Sequence, residues 1–269
     1  MNGYGNMMYI DSHSHWSDAR WNTNDLDIKK RLENAFEKKI TFFLQGGINP
    51  TEWQKQKELK KNFPNYFGLS FGLHPYFIAE NDDEACEAAL DLLAQELSQA
   101  MALGETGLDF RPHIMKDSMT RQIEMFENQI ELAKAFKKPL ILHVVQAHDK
   151  ALQVLDIWGV PPAKGFVHAF SGSFDTAKKY IERGFLISVG GALTFDKNKK
   201  LIDCVQKIPL ESLLIESDCP DQAPQGWDGL NESTAIWVVA EKIAQIRGLS
   251  LLEVLEISAS NFKRLFRMS

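Results

Sequence analysis

Short apolar runs alternate with longer amphipathic stretches along the whole chain. Eight apolar runs, each bounded by Gly, Pro, Asp or Ser, predict β-strands rather than segments of buried helix. They are MYIDSH, ITFFLQGG, FGLSFGLHP, AMALGETGLD, PLILHVV, GFVHAF, FLISVGG and LLIESDCP. Between these runs, apolar residues recur at intervals of three and four, which predicts amphipathic helices.

The predicted helices follow the strands in regular alternation. They cover residues 25–39, 51–63, 83–99, 119–136, 148–158, 174–183, 197–207 and 232–247, and a last helix covers about 250–266. Parallel neighbours need a crossover connection, so strand–helix alternation predicts a parallel sheet. Eight such units most simply close into a (β/α)8 TIM barrel, an α/β fold, and an open doubly wound sheet is the alternative.

Length and charge narrow this picture. The 269 residues suit one barrel of roughly 250 residues. No linker or low-complexity tract divides the chain, so we predict a single domain over residues 1–269. The net charge of −6 offers no broad basic surface for nucleic acid, so a nucleic acid substrate would need a local binding site.

Cysteine content and hydropathy indicate where the protein works. The three cysteines are odd in number and widely spaced, which argues against a disulfide framework and favours a reducing compartment. The N-terminal residues lack the pattern of a signal peptide. No run approaches the ~18 apolar residues of a membrane span. We therefore expect a cytoplasmic protein with no membrane partner, and no obligate protein partner is indicated.

The residues that carry chemistry fall at the carboxyl ends of the predicted strands, where the active site of such a barrel lies. In chain order they are His13, His15, His74, Glu105, Asp109, His143, His168, Glu216 and Asp218. His13 and His15 are two apart on one strand, so both rings point to one face and can bind one ion. For any single histidine, a hydrogen-bonded rim residue is the alternative.

Glu105 stands in an otherwise apolar strand. A carboxylate is costly to bury there unless it meets a cation. That cation is either a metal ion or, as the alternative, a Lys or Arg partner in a buried salt bridge. Asp218 in the run IESDCP carries the same two alternatives.

Six segments resemble the TatD family of metal-dependent hydrolases, which includes deoxyribonucleases and belongs to the amidohydrolase-like barrels. They are DSHSHW at 11–16, GLHP at 72–75, GETGLDF at 104–110, LILHVVQAHDKAL at 140–152, VHAFSGS at 167–173 and LLIESDCP at 213–220. The similarity continues through EKIAQIRGLSLLEVLEISASNFKRLF and so covers nearly the whole chain. Each motif alone is weak, but six in order are specific.

The resemblance implies one or two divalent metal ions. It gives His13, His15, Glu105 and Asp218 as ligands of one ion, and Glu105 bridges to a second ion that His143 and His168 also hold. Histidine ligands favour Zn²⁺ or Mn²⁺ over Mg²⁺, but the family uses Mg²⁺ as well, so Zn or Mg, with Mn as a third candidate, is the expectation.

The resemblance also implies catalytic roles. Glu105 is expected to be catalytic as the bridging ligand, and His74 as a hydrogen-bond donor to a phosphate oxygen or a bound water. Asp218 is our candidate general base, because it would both touch the metal and face the attacking water. The expected substrates are DNA ends or a small phosphate or ester compound.

Two departures from the family pattern affect residues that could bind a substrate phosphate. Val145 stands where an arginine is usual, and no Arg or Lys occurs between Asp218 and Lys242. Ser233 replaces a usual proline. Charged rim residues could compensate, or could be solvated loop charges: Arg111, His113, Lys197, Lys199 and Lys200. Trp16, Trp21 and Trp227 could likewise stack a base or serve loop packing.

Three hypotheses therefore remain open. The first is a metal-dependent phosphodiesterase or deoxyribonuclease. The second is a hydrolase of a small ester, amide or phosphate ester on the same metal site, which the absent arginine favours. The third is a barrel without enzymatic activity that binds a metal or a partner. An intact set of metal ligands argues against the third, because a scaffold has no chemical need for an open metal site.

Overall fold

A computed structural model describes residues 8–21 and 25–268 of the chain. The N-terminal segment read above for a signal peptide begins outside these residues. The strands are β1 (Tyr9–Ser14), β2 (Ile40–Gln45), β3 (Phe67–Gly68), β4 (Ser70–Phe71), β5 (Ala102–Asp109), β6 (Leu140–Val145), β7 (Gly165–Val167), β8 (Phe185–Val189) and β9 (Leu213–Ile215). The third predicted strand is thus divided at Leu69 into β3 and β4.

The strands pair in parallel and in chain order, as β1-β2-β3 and β4-β5-β6-β7-β8-β9. The segment after β9 also forms hydrogen bonds with the end of β1. Asp218 N donates to His13 O at 3.0 Å, and His15 N donates to Cys219 O at 2.8 Å. Sequential order and this return are features of a barrel, whereas a doubly wound sheet reverses its strand order. The predicted (β/α)8 fold is confirmed, although the described strands pair as two sheets that are interrupted at Leu69 and have no strand ladder between β9 and β1.

The helices agree closely with the predicted ones. They are α1 (Asp25–Glu37), α2 (Pro50–Asn62), α3 (Pro75–Glu80), α4 (Asp83–Glu96), α5 (Pro112–Met115), α6 (Met119–Ala135), α7 (His148–Trp158), α8 (Phe174–Glu182), α9 (Lys199–Lys207), α10 (Ile236–Arg247) and α11 (Leu251–Phe266). The short helices α3 and α5 were not predicted, because two turns or fewer leave no periodic pattern to detect. No described helix is both long enough and apolar enough to cross a bilayer.

The start of the barrel is filled by apolar side chains. Seven strands each contribute one residue to a buried cluster: Ile10, Leu44, Ala102, Ile141, Phe166, Leu186 and Leu214. Phe262 and Ala259 of α11 complete this cluster, so the last helix closes that end. Full burial of a side chain such as Phe262 stabilises the fold by about 1.5–3 kcal/mol. Apolar side chains thus fill the end of the barrel at which the strands begin.

Candidate metal centre

Histidines and carboxylates meet in a cleft at the carboxyl ends of the strands. His13 and His15 come from the end of β1, Glu105 from β5 and His143 from β6. His168 follows β7 directly, Asp218 lies three residues after the end of β9, and His74 caps α3. The cleft has a volume of about 610 Å³, and six of these seven residues line it together with rim side chains. The structure thus brings every predicted site residue to one place.

The first group of ligand-type atoms surrounds one oxygen of Glu105. His13 Nε2 and His15 Nε2 lie 3.4 and 3.3 Å from Glu105 Oε1. The same two nitrogens lie 3.6 and 3.3 Å from Asp218 Oδ1. Ligands that surround an ion tetrahedrally at about 2.0–2.2 Å are roughly 3.3–3.6 Å from one another. The four distances between histidine nitrogens and carboxylate oxygens therefore match the spacing of tetrahedral ligands.

The second group surrounds the other oxygen of Glu105. His168 Nε2 lies 2.8 Å and His143 Nδ1 lies 3.6 Å from Glu105 Oε2. The two imidazoles also contact each other, with 3.1 Å between His143 Nδ1 and His168 Nε2. His74 Nε2 is 3.8 Å from Glu105 Oε2. Glu105 consequently faces one group of histidines with each of its two oxygens.

Buried polar atoms without partners identify where a cation fits. In the described part of the chain, both nitrogens of His13, Oε1 of Glu105 and Nδ1 of His168 are buried and accept or donate no hydrogen bond. Leaving such groups unpaired costs about 1–3 kcal/mol each. A cation among His13, His15, Glu105 and Asp218 would satisfy two of them directly, His13 Nε2 and Glu105 Oε1. The donor set of imidazole nitrogen and carboxylate oxygen fits a divalent metal.

Gly46 is required for this arrangement. A Cβ at position 46 would lie 2.5 Å from His15 Cε1 and 2.6 Å from His13 Cε1. Real side chains do not approach so closely, so any larger residue would displace both rings. Residue 46 follows β2, and the missing side chain leaves space for the histidine pair on the neighbouring β1.

The site favours positive charge. Burial opposes the ionised form of Glu105, yet the charges of His168 and His13 hold its pKa well below the usual range. Burial also opposes protonation of His15, but its hydrogen bond to Asp218 and the charge of Glu105 raise its pKa to about 9. His168 has a raised pKa, because Glu105 outweighs the effect of its burial. Protons therefore accumulate where a metal cation would bind.

Two further carboxylates lie beside the histidines of the second group. Asp109 Oδ2 lies 3.2 Å from His143 Nε2, which leaves Nδ1 to face Glu105. Glu216 Oε1 accepts a hydrogen bond from Ala169 N and lies 3.7 Å from His168 Nδ1, too far for a hydrogen bond. A carboxylate that is hydrogen-bonded to a metal-binding imidazole fixes its tautomer and orientation, as Asp109 does for His143. The sequence marks both as strand-end residues, but only the structure shows which ring each one contacts.

His74 and Asp218 present defined groups to the cleft. His74 Nδ1 accepts a hydrogen bond from Tyr76 N at 3.0 Å, so its proton lies on Nε2. Burial and the neighbouring His143 lower the pKa of His74 well below its usual value, which keeps the ring neutral. Asp218 turns Oδ1 to the histidines, and its Oδ2 accepts from Gln222 Nε2 at 2.6 Å.

Two arginines line the cleft in place of the absent one at Val145. Arg111 donates through Nε and Nη2 to Asp109, so Nη1 faces no partner among the described residues. Arg20 is held on both sides, because it donates to Asp18 and Asp221. Both cations thus stand beside carboxylates, and the charge that each can offer to an anion is reduced.

The other rim residues considered from the sequence lie elsewhere. Trp16 is 1% exposed, packs against Phe43 and donates to Ser233 Oγ, so it serves packing and cannot stack a base. Trp21 and Trp227 donate their indole N–H groups to backbone oxygens. These tryptophans, His113 and the lysines at 197, 199 and 200 are absent from the described lining of the cleft.

Comparisons with known proteins agree with this geometry. The model of the family described as TatD related DNase matches residues 10–267. The chain is 31% identical to an uncharacterized metal-dependent hydrolase, YabD of Bacillus subtilis, over 97% of this chain and 100% of the relative. YcfH of Escherichia coli K12, another uncharacterized metal-dependent hydrolase, is 30% identical over 97% of each chain. The crystal structure of YjjV, a TatD homologue from Escherichia coli K12, matches with a TM-score of 0.85 and 27% identity, covering 97% of this chain and 98% of that one.

Proposed function

The chain belongs to the TatD family of metal-dependent hydrolases, and from that premise we propose that it hydrolyses phosphodiester bonds at DNA ends. The proposed metal ligands are His13, His15, Glu105 and Asp218 for one divalent ion. Glu105, His143 and His168 would hold a second. The observation that carries this proposal is the position of Glu105 between the two groups, because each of its two oxygens faces a separate group of histidines.

The histidine-rich donor set favours Zn²⁺ or Mn²⁺, with Mg²⁺ as the remaining candidate. When bound, such ions supply Lewis acidity and bring the pKa of water toward neutrality. The residues of the chain then accept protons and position the substrate. Asp218 would accept a proton from the attacking water through Oδ2, which Gln222 holds at the cleft. His74 would donate its Nε2 proton to a phosphate oxygen, because Nδ1 is already occupied.

Support for DNA as the substrate comes from the family description and from the rim. Arg111 lines the cleft with Nη1 unpaired among the described residues. A guanidinium nitrogen in that position can bind one oxygen of a phosphodiester. The chain also has a net charge of −6, so a nucleic acid would be bound mainly at this local site rather than over a broad surface.

A second candidate is hydrolysis of a small phosphate ester, carboxylic ester or amide. The observation that favours it is the charge of the cleft, where Arg20 and Arg111 are each held by carboxylates. An extended polyanion would meet Asp18 and Asp221 there, and their repulsion would weaken binding. A small substrate could contact the metal ligands without crossing this acidic rim.

A substrate panel distinguishes the two candidates. The protein is stripped of metal, reconstituted with Zn²⁺, Mn²⁺ or Mg²⁺, and assayed on end-labelled single-stranded DNA, bis-p-nitrophenyl phosphate and p-nitrophenyl acetate. We expect release of terminal nucleotides and hydrolysis of the phosphodiester. Hydrolysis of the acetate alone would reject the nuclease, and a protein that retains no divalent ion after reconstitution would reject both candidates.

A further inference from the structure

A basic cleft lies at the end of the barrel opposite the metal centre. Its volume is about 640 Å³, within the range of about 300–1,000 Å³ for ligand pockets. Six cationic residues line it, and its described lining contains no Asp or Glu: Lys134, Lys137, Lys138, Lys164, Arg264 and Arg267. In a chain with a net charge of −6, this concentration of positive charge requires an explanation.

Capping of helix ends explains only half of these cations. Lys134 pairs with Glu131 at 2.6 Å and contacts Trp158 O. Lys138 donates to Ala100 O, and Arg264 donates to Asn261 Oδ1 and Glu211 O. These three side chains satisfy protein oxygens. Their positive charges are therefore already engaged by the protein.

The other three cations have no protein partner among the residues described, although Arg267 is the carboxyl cap of α11 and Lys137 follows the cap of α6. The side chains of Lys137, Lys164 and Arg267 make no hydrogen bond or ion pair with any residue in 8–21 or 25–268. All three are exposed. Their positive charges therefore face the cleft without a protein partner.

The backbone at these positions favours a different residue. Lys137, Lys164 and Arg267 have φ values of 53°, 63° and 53°, in the left-handed region. Glycine is the usual residue there, because it has no Cβ to clash. Three cations at positions that suit glycine, all around one cleft, indicate that their charge is useful rather than their conformation.

The cleft also has an apolar wall. Phe136 is 37% exposed, and Met101, Leu186 and Phe266 line the same space. We propose that the cleft is a second ligand site, separate from the metal centre, for a compound with two or more linked phosphate groups. The unpaired cations bind the phosphates, and the wall accepts the base of a nucleotide where one is present. A free polyphosphate and a nucleotide share this chemistry.

Glycine substitution provides a test that does not threaten the fold. The variant Lys137→Gly/Lys164→Gly/Arg267→Gly removes three charges at positions where glycine relieves strain, so its melting temperature should stay the same or rise. Binding of ATP and of inorganic tripolyphosphate is measured by calorimetry, with adenosine as a ligand that lacks phosphate. We expect both phosphate ligands to bind the wild type and to bind the variant at least about tenfold more weakly.

Lys39→Gly is the matched control, because Lys39 also has a left-handed φ of 58° but does not line the cleft. It should bind both ligands as the wild type does. Glu105→Ala, measured in parallel, should keep the binding if it occurs away from the metal centre. Tighter binding of ATP than of tripolyphosphate would assign the site to nucleotides, and equal binding to polyphosphate. Absence of binding, equal loss in Lys39→Gly or loss in Glu105→Ala would overturn the proposal.

Discussion

The two groups of histidines on either side of Glu105 contain the same kinds of atoms, but they differ in how closely those atoms approach one another. In the first group, the nitrogens of His13 and His15 stand 3.3–3.6 Å from the carboxylate oxygens. That group holds a hydrogen bond between His15 and Asp218, at a distance that also suits two ligands of one ion. In the second group, His168 lies 2.8 Å from Glu105 and 3.1 Å from His143, so hydrogen bonds already occupy the space.

This difference indicates an order of metal binding. An ion entering the first group finds ligands already at tetrahedral spacing and displaces the proton on His15. An ion entering the second group must also displace a proton, and it must in addition move His168 away from Glu105 and His143, which lie closer to it than tetrahedral ligands do. We therefore expect the first group to bind its ion more tightly.

Removing the shared ligand should have the largest effect. Glu105→Ala takes one oxygen from each group, so we expect both ions to be lost and activity to fall by ~10³-fold or more, since metal ions supply several kcal/mol of transition-state stabilisation. Metal content is measured by elemental analysis and activity on bis-p-nitrophenyl phosphate. Glu105→Gln keeps the shape of the side chain and should show nearly the same loss. A variant that retained both ions would contradict the bridging role.

Removing one histidine from each group tests their order. His15→Ala should abolish the tighter binding step and most activity, because His15 shares that ion with Asp218, the proposed base. His143→Ala should abolish the weaker step and leave the tighter one. The loss of affinity should exceed the roughly 10–100-fold that removal of an orienting partner causes. Calorimetric titration of metal-free protein measures both steps, and identical titrations of the two variants would show that the groups are equivalent.

The sequence predicted which residues meet in the cleft better than it predicted their arrangement. Metal-binding residue types at strand ends are visible without a structure, because parallel strands end at one face of a barrel. The pairing of Asp109 with His143 was not predictable, since several rim carboxylates could reach that ring. The unequal use of the two oxygens of Glu105 depends on angstrom-scale separations, and periodicity does not encode these.

The fold shows the same limits. Strand and helix positions followed from apolar periodicity, which reports burial directly. The interruption at Leu69 did not follow from periodicity. There β3 pairs with β2 while β4 pairs with β5, and this change of partner depends on how the strands twist. Trp16, a residue considered for base stacking, is buried against Phe43, and a single aromatic residue in a loop carries no pattern that distinguishes these two roles.

Crowding the first group should weaken one metal site and not the other, while every ligand stays in the sequence. Gly46→Ala places a Cβ within 2.5–2.7 Å of the rings of His13 and His15, and both rings must move. We expect the tighter ion to bind about 10–100-fold more weakly, as for other losses of ligand orientation, with little change in the weaker ion. Gly190→Ala is the control, because its nearest atom would be 3.4 Å away. An unchanged tighter step would mean that the histidine pair is not the primary site.

Disturbing the orientation of His143 should give the smallest effect and should fall on the second group alone. Asp109→Asn removes the charge that holds His143 Nε2 at 3.2 Å, so we expect the weaker ion to lose about 10–100-fold in affinity while activity at saturating metal changes less. Asp156→Asn is the matched control, because Asp156 forms the same two-bonded contact with Arg183 but touches no histidine of the cleft. Calorimetric titration reads both steps in each variant. If Asp109→Asn weakened the tighter ion instead, the two groups would not be independent, and the order of metal binding inferred from their geometry would be wrong.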